Sequence, residues 1–313
     1  MKKLIYLLAF FLPISFVLSA CANDEGTTTK EKDKLIVYTT VYPLQYFTER
    51  IGGKYVNVKT IYPPGADEHT FEPSQKDMMK LADADLFFYV GLGLEGFVES
   101  AKDTLKNQNV IMTPVANQLK LPKNSSKTVN DHDEGENNHD VNPHVWLDPV
   151  YSKEMAAVIR DSLNKKMPGH KEYFNEQYQK LAGELDELDN QFQTTISQAK
   201  HKKIIVTHAA FGYWEQRYGL EQISISGLST ANEPTQKELK AIIATADQEG
   251  IHYILFEQNV QSRLGEIIQK EIGARSLPIH NLGILTQKEI DQKETYFSLM
   301  KHNLETLDQA LNH

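Results

Sequence analysis

An α/β fold of two lobes, each a mostly parallel sheet with flanking helices, joined by one long rigid helix, is predicted by three features of the sequence. Short β-branched and apolar runs alternate with segments of helical spacing in the first third of the chain. The same grammar returns in the last third. Between them, residues 171–199 form a helical stretch with no proline and one glycine, Gly183. Alternating strands and helices imply parallel sheets covered by helices on both faces.

The elements follow in order. Leu35-Ile-Val-Tyr-Thr-Thr-Val41 is β-branched and aromatic, hence a strand. Residues 56–61 alternate and make a second strand. Residues 86–90 are a continuous apolar run, as expected of a strand buried on both faces. Residues 109–113 are a weaker fourth. Residues 43–51, 74–82 and 95–105 between them carry helical spacing. A helix over 151–166 ends at Pro168-Gly169. In the long stretch that follows, Leu181, Leu185, Leu188 and Phe192 step by three or four residues and form an apolar stripe. Such a helix is roughly 40 Å long, enough to run the height of two lobes. A stripe of this kind serves either a coiled-coil partner or the chain's own domains, and on a connecting helix the second is expected. Beyond it, residues 203–207, 222–226, 253–256 and 276–279 read as strands, and 236–248, 262–272 and 288–312 as helices. No fixed-period repeat relates the halves.

The chain has 313 residues, which suggests two domains. Hydrophobic residues make up 40% and charged residues 24%, against wholesale disorder. A formal net charge of -9 gives no general attraction to phosphate backbones, so nucleic acid is not an expected partner. The single cysteine excludes an internal disulfide and any cysteine-rich zinc module. That cysteine, Cys21, follows a basic start (Lys2, Lys3), an apolar run over 4–17 and Leu18-Ser19-Ala20. This is the layout of a secretory signal. Leu-Ser-Ala-Cys also resembles the bacterial lipobox, in which the cysteine is lipidated and becomes the first mature residue. Residues 1–20 are therefore expected to be removed, and Cys21 to hold the protein to the outer face of the cell membrane. Residues 21–34 then form a polar tether, 35–150 the first lobe, 151–200 a helical connector and 201–313 the second lobe. No other stretch approaches the roughly 20 apolar residues of a membrane helix.

Residues 123–142 stand apart, with five acids, two histidines (His132 and His139) and almost no apolar groups. The segment is either a solvated insertion or a low-affinity metal-collecting loop, since imidazole and carboxylate both suit Zn²⁺.

Three histidines lie where a site is expected. His69 follows the second strand in A-D-E-H-T-F-E-P-S, His144 lies in N-P-H-V-W-L-D-P where the acidic segment returns to the fold, and His208 ends a strand in I-I-V-T-H-A-A-F-G-Y-W. In open α/β sheets ligands bind outside the carboxyl ends of strands. Any one of them alone would more simply be a hydrogen-bonded structural residue; three from both halves shift the balance.

H-T-F-E-P-S at 69–74, N-P-H-V-W-L-D-P at 142–149, V-T-H-A-A-F-G-Y at 206–213 and G-L-S-T-A-N-E-P-T at 227–235 together resemble the metal-binding substrate-binding lipoproteins of bacterial ABC importers, in their zinc branch. The resemblance covers essentially the whole mature chain. It implies two α/β lobes joined by a long helix, zinc clamped between them by His69, His144 and His208, and delivery to an ABC permease and its ATPase by a monomer that is not an enzyme. Neutral imidazoles suit tetrahedral Zn²⁺, whereas manganese prefers more oxygen ligands. Manganese members typically have a carboxylate where His208 sits. Many relatives carry an Asp or Glu after the last strand of the second lobe, but here that loop reads H-N-L-G-I-L-T at 280–286. The fourth position is left to Glu68, to water or to His280. Glu233 and Glu257 are also common to the family, Glu257 as a residue that could orient a ligand imidazole. Trp146 and Trp214 are read as packing that excludes water. Rival readings are a manganese or iron carrier, an adhesin on the same fold, and a secreted zinc hydrolase. The last is disfavoured because no H-E-x-x-H occurs.

Overall fold

The computed structural model describes residues 34–121, 141–229, 234–258 and 262–313. The expected signal segment, Cys21, the tether up to residue 33, residues 122–140 with His132 and His139, and Glu233 lie outside the described residues.

The first sheet contains β1 (Leu35–Thr39), β2 (Val56–Thr60), β3 (Leu86–Tyr89) and β4 (Ile111–Pro114), in the spatial order β2-β1-β3-β4. The second contains β5 (Lys203–Val206), β6 (Glu221–Ser224), β7 (Tyr253–Glu257) and β8 (Arg275–Ile279), in the order β6-β5-β7-β8. Every pairing is parallel. β3 is buried along its whole length, as its unbroken apolar run requires. The two orders are the same. In each sheet the chain reverses direction across the sheet beside its first strand, between β1 and β3 and between β5 and β7. These switch points open a crevice at the carboxyl ends of the strands, which is where such sheets bind ligands.

Helices α1 (Tyr42–Gly52), α2 (Gln75–Ala82) and α3 (Val98–Leu105) belong to the first sheet. α2 starts with a capping box in which Ser74 and Asp77 satisfy each other's backbone N–H groups. α4 (Pro149–Lys166) starts on Asp148, whose carboxylate accepts from the backbone N–H of Val150 at 2.8 Å and of Tyr151 at 3.2 Å. α5 (Lys171–Gln198) is the long helix. Leu181, Leu185, Leu188 and Phe192 are buried on it, and all four belong to the principal core. The stripe therefore packs against the chain itself, as a connecting helix should. That core is continuous from β1 to α10 (Tyr296–Asn312). A smaller cluster of Ile205, Ile225, Ile242, Ala246, Ile254 and Ile268 lies between the second sheet and α7 (Gln236–Glu249) and α8 (Arg263–Glu271). Residues 35–313 make one compact unit. Among the described residues no helix is long and apolar enough to cross a membrane.

Two elements differ from the sequence reading. The helix expected over 288–312 is two, α9 (Gln287–Gln292) and α10. Lys293 adopts φ 58° and closes α9, and Thr295 opens α10 by a capping box with Ser298. Periodicity is blind to this break because residues 287–295 hold one apolar residue, Ile290, itself exposed, and so carry no apolar period to interrupt, whereas the Thr295–Ser298 cap marks it. In addition α6 (Gly212–Tyr218) forms directly after His208 and is closed by Gly219 at φ 74°. Seven residues are too few for a periodic signal.

Candidate metal centre

Each of the three histidines is presented by a local device. His69 lies past β2, where the Asp67 carboxylate accepts from the backbone N–H of His69 at 2.8 Å and of Thr70 at 3.1 Å, forming a tight Asx turn. His144 sits before the short turn Val145–Leu147 that leads into α4. Asn142 Oδ1 accepts both its backbone N–H, at 2.9 Å, and its ring Nδ1, at 2.8 Å. His208 leaves the end of β5 in extended conformation, at the switch point of the second sheet. One ligating atom from each of the three lies within 4.8 Å of the other two. Ring centroids are 5.2 Å apart for His69–His144, 5.4 Å for His69–His208 and 4.7 Å for His144–His208.

The polar accounting points to a ligand. Nε2 of His69 and Nε2 of His144 are buried without a hydrogen-bond partner among the described residues. An unsatisfied buried polar atom costs about 1–3 kcal/mol, so two side by side describe a place prepared for something that accepts lone pairs. Burial, and then the charge of His208, lower the His69 imidazole to about 4. The same two causes, with His69 added, hold His144 well below the usual histidine range. Both rings are therefore neutral near pH 7. His208 goes the other way. Burial alone would lower it, but the Glu257 carboxylate 3.0 Å from Nδ1 and the Leu228 carbonyl 2.9 Å from Nε2 carry it up to about 9. With Nδ1 donating to Glu257, the ring can exchange its Nε2 proton for a metal ion and keep its orientation. An ion about 2.0–2.1 Å from three nitrogens in tetrahedral array sets them about 3.4 Å apart, so only a short inward movement is needed.

Two more side chains border the cluster. Glu68, 7% exposed, is pushed up to about 7, chiefly by burial. Its Oε1 accepts from Asn281 Nδ2 at 2.8 Å, and the same amide nitrogen donates to Glu257 Oε2 at 2.7 Å. His280 stands outside the three-imidazole group: its Nε2 faces Glu289 Oε1 at 3.1 Å and its Nδ1 accepts the Leu282 N–H at 2.7 Å. Both ring nitrogens are thus engaged, one within its own loop and one by α9. Trp146 and Trp214 are fully buried, Trp146 with its ring 5.2 Å from that of His144. Their indole N–H groups donate to the carbonyls of Asn281 at 2.6 Å and Leu147 at 2.8 Å. Trp146 walls the site beside His144, while Trp214 ties the segment after His208 to the turn after His144.

Sequence reading assigned no role to Asn142 or Asn281. For Asn142 a signal existed: an Asn two residues before a histidine is placed for an Asx turn. For Asn281 there was none, because its partners lie at positions 68 and 257.

A family model described as the zinc-uptake complex component A, periplasmic (ZnuA), matches residues 37–310. The chain is 35% identical over 313 residues to the zinc-binding lipoprotein AdcA of Streptococcus pneumoniae, a match covering 99% of this chain and 61% of that protein. It is 32% identical over 310 residues to the high-affinity zinc uptake system protein ZnuA of Bacillus subtilis, covering 96% of each. The crystal structure of the zinc-bound ZnuA-like domain of Streptococcus pneumoniae AdcA superposes with a TM-score of 0.75 at 34% identity, covering 90% of this chain and all of that domain. The fold, two all-parallel lobes with a long helix between them, is thus shared with a zinc-bound relative, and the chain belongs to the ZnuA family of periplasmic zinc-uptake components.

Proposed function

We propose that this protein captures Zn²⁺ between its two lobes outside the cytoplasm and hands it to an ABC transporter. His69, His144 and His208 are the ligands in this reading, and Glu68 completes or neighbours the fourth position. The observation that carries it is the pair of partnerless, buried Nε2 atoms on His69 and His144, which face a third imidazole within 4.8 Å. Three nitrogen donors favour zinc over manganese. Glu257 orients His208 through Nδ1, in the way a carboxylate typically fixes a metal-bound imidazole. The protein binds and delivers the ion and turns nothing over.

The delivery partners are a permease and its ATPase, and the protein works as a monomer held to the outer face of the membrane by a lipid on Cys21. The lipobox-like sequence and the lipoprotein name of the relative AdcA support that anchor. The domain division follows the same logic, with residues 35–150 and 201–313 as the two lobes and 151–200 connecting them.

Metal analysis tests the reading. Purified protein offered zinc and manganese together is expected to retain one equivalent of zinc. His208→Ala, which removes the imidazole but leaves β5 intact, is expected to lose zinc binding by at least about 10–100-fold. Retention of manganese in preference to zinc, or undiminished zinc binding by His208→Ala, would overturn it.

A further inference from the structure

The loop between β8 and α9 carries no carboxylate, yet it touches the two buried carboxylates that border the imidazole cluster. Asn281 is its centre. The side-chain amide nitrogen donates to Glu68 Oε1 at 2.8 Å and to Glu257 Oε2 at 2.7 Å. The side-chain oxygen accepts the Gly283 N–H at 2.8 Å. The backbone carbonyl accepts the Trp146 indole at 2.6 Å. Every polar group of this side chain is engaged, and Asn281 is 8% exposed. Glu257 spends its other oxygen on His208 Nδ1. A continuous chain therefore runs His208–Glu257–Asn281–Glu68, from the end of β5 through the end of β7 and the β8–α9 loop to the residue before His69.

Gly283 supplies the second half of the arrangement. A Cβ there would lie 2.7 Å from Glu68 Oε1, 2.8 Å from its Cδ and 3.1 Å from its Oε2. The Glu68 carboxylate fills the volume that any other residue at 283 would claim. Leu282 between them is buried at φ 60°, a conformation that costs a non-glycine residue about 1 kcal/mol or more. The strain is held by what surrounds it: Asn281 and Gly283 bond to each other across it, and the Leu282 N–H is taken by His280 Nδ1. His280 in turn is fixed by Glu289, the residue that caps α9 with Thr286. A loop bent against its preference and pinned at both ends is a rigid support.

We infer that Asn281 and Gly283 form a built seat for the Glu68 carboxylate, which makes Asn281 the positioning residue that sets Glu68 and Glu257 together around the metal. The donor amide offsets part of the repulsion between two carboxylates brought to one point, since each is hydrogen-bonded to the same N–H₂ group. One serves His208 and the other is held beside His69. Asn281 touches no metal; it acts through Glu68 and Glu257. The inference rests on the zinc reading above.

A double-mutant cycle in zinc competition titrations tests it. In the native background, Asn281→Ala should weaken zinc about tenfold. In a Glu68→Gln background the same change should cost less than about threefold, because only the share carried through Glu257 remains. Gly283→Ala makes the same test without removing a hydrogen bond. It should weaken zinc in the native background and be silent in Glu68→Ala, where the obstructing carboxylate is gone. Thermal melting of the metal-free variants shows whether each is folded, and if Asn281→Ala is not, the Gly283 cycle decides. Equal losses for Gly283→Ala with and without the Glu68 carboxylate would overturn the seat. If instead the native protein binds no zinc, it is the zinc reading that fails, and the cycle has no signal to divide.

Discussion

At the scale of single residues the centre is a problem in protons. In the proposed zinc site each imidazole must offer a ring-nitrogen lone pair to the metal, so any proton there must leave. His69, lowered to about 4, and His144, held well below the ordinary histidine range by burial, carry none at neutral pH. His208, carried up to about 9 mainly against its burial by Glu257, does. One proton should therefore be released per zinc between about pH 7 and 9, and affinity should rise roughly tenfold per pH unit there before levelling off above about 9. Below about pH 7 the Glu68 carboxyl begins to hold a proton as well, which steepens the fall. An ordinary histidine near 6.5 would place the loss between about pH 7 and 5; the Glu257 contact moves the window upward. The signs also apply to the metal-free protein. A raised His208 stabilises the fold fully below about 6.5 and loses that contribution as pH rises through about 9. Calorimetric titration in buffers of different ionisation enthalpy counts the protons directly. A zinc affinity that is flat from about pH 7 to 9 would contradict this assignment of charge.

At the scale of elements, the long helix joins the lobes by packing. Phe192 on α5 is fully buried, with its ring 5.2 Å from Trp214 and 5.5 Å from Tyr218, both on α6. α6 begins four residues after His208, so the contact supports the loop that delivers a ligand. Phe192→Ala should cost about 3–5 kcal/mol of stability, the usual loss for a buried aromatic truncated in a packed core. Urea denaturation of the metal-free protein measures it, and a loss below about 1 kcal/mol would mean that the α5–α6 contact carries little of the fold. Elements are also where the sequence was most informative. Strands such as β3 are buried on both faces and read as unbroken apolar runs, and the α5 stripe announced its own burial. α6 and the break at Lys293 escaped because a seven-residue helix and a single left-handed residue give no periodic signal of their own. The same limit separates the legible part of the site from the rest. Three histidines at strand ends are visible as residue types in context. Asn281 and Gly283 bear on the site through residues 68 and 257, far away in the chain, and what matters about Gly283 there is an atom it lacks.

At the scale of the whole molecule, ties between the segments holding the site determine how it can move. Tyr213 Oη donates to the Asn142 carbonyl at 2.6 Å, and Trp214 Nε1 to the Leu147 carbonyl at 2.8 Å. The Arg217 guanidinium meets the Asp148 carboxylate that caps α4. Tyr296 Oη reaches the Trp146 carbonyl at 2.9 Å, and Tyr42 N–H donates to the Gly283 carbonyl at 2.8 Å. These bonds join the first-lobe segments to the second lobe at and below the metal centre, and the core is continuous beneath them. A hinge would have to break several buried hydrogen bonds at about 0.5–1.5 kcal/mol each, and zinc binding gains nothing from doing so when the imidazoles already stand within 4.8 Å. Closure on loading should therefore be confined to loops. Small-angle scattering should give radii of gyration for the metal-free and zinc-loaded protein that agree within about 1 Å, against a radius of roughly 19 Å for a fold of this size. Thermal unfolding should be a single transition, because the principal core runs through both lobes. Its midpoint should rise with zinc, by the equivalent of about 2.7 kcal/mol at a free concentration one hundred times the dissociation constant. Two resolved transitions, with only one responding to zinc, would show that the lobes unfold separately and that the ties described here do not couple them.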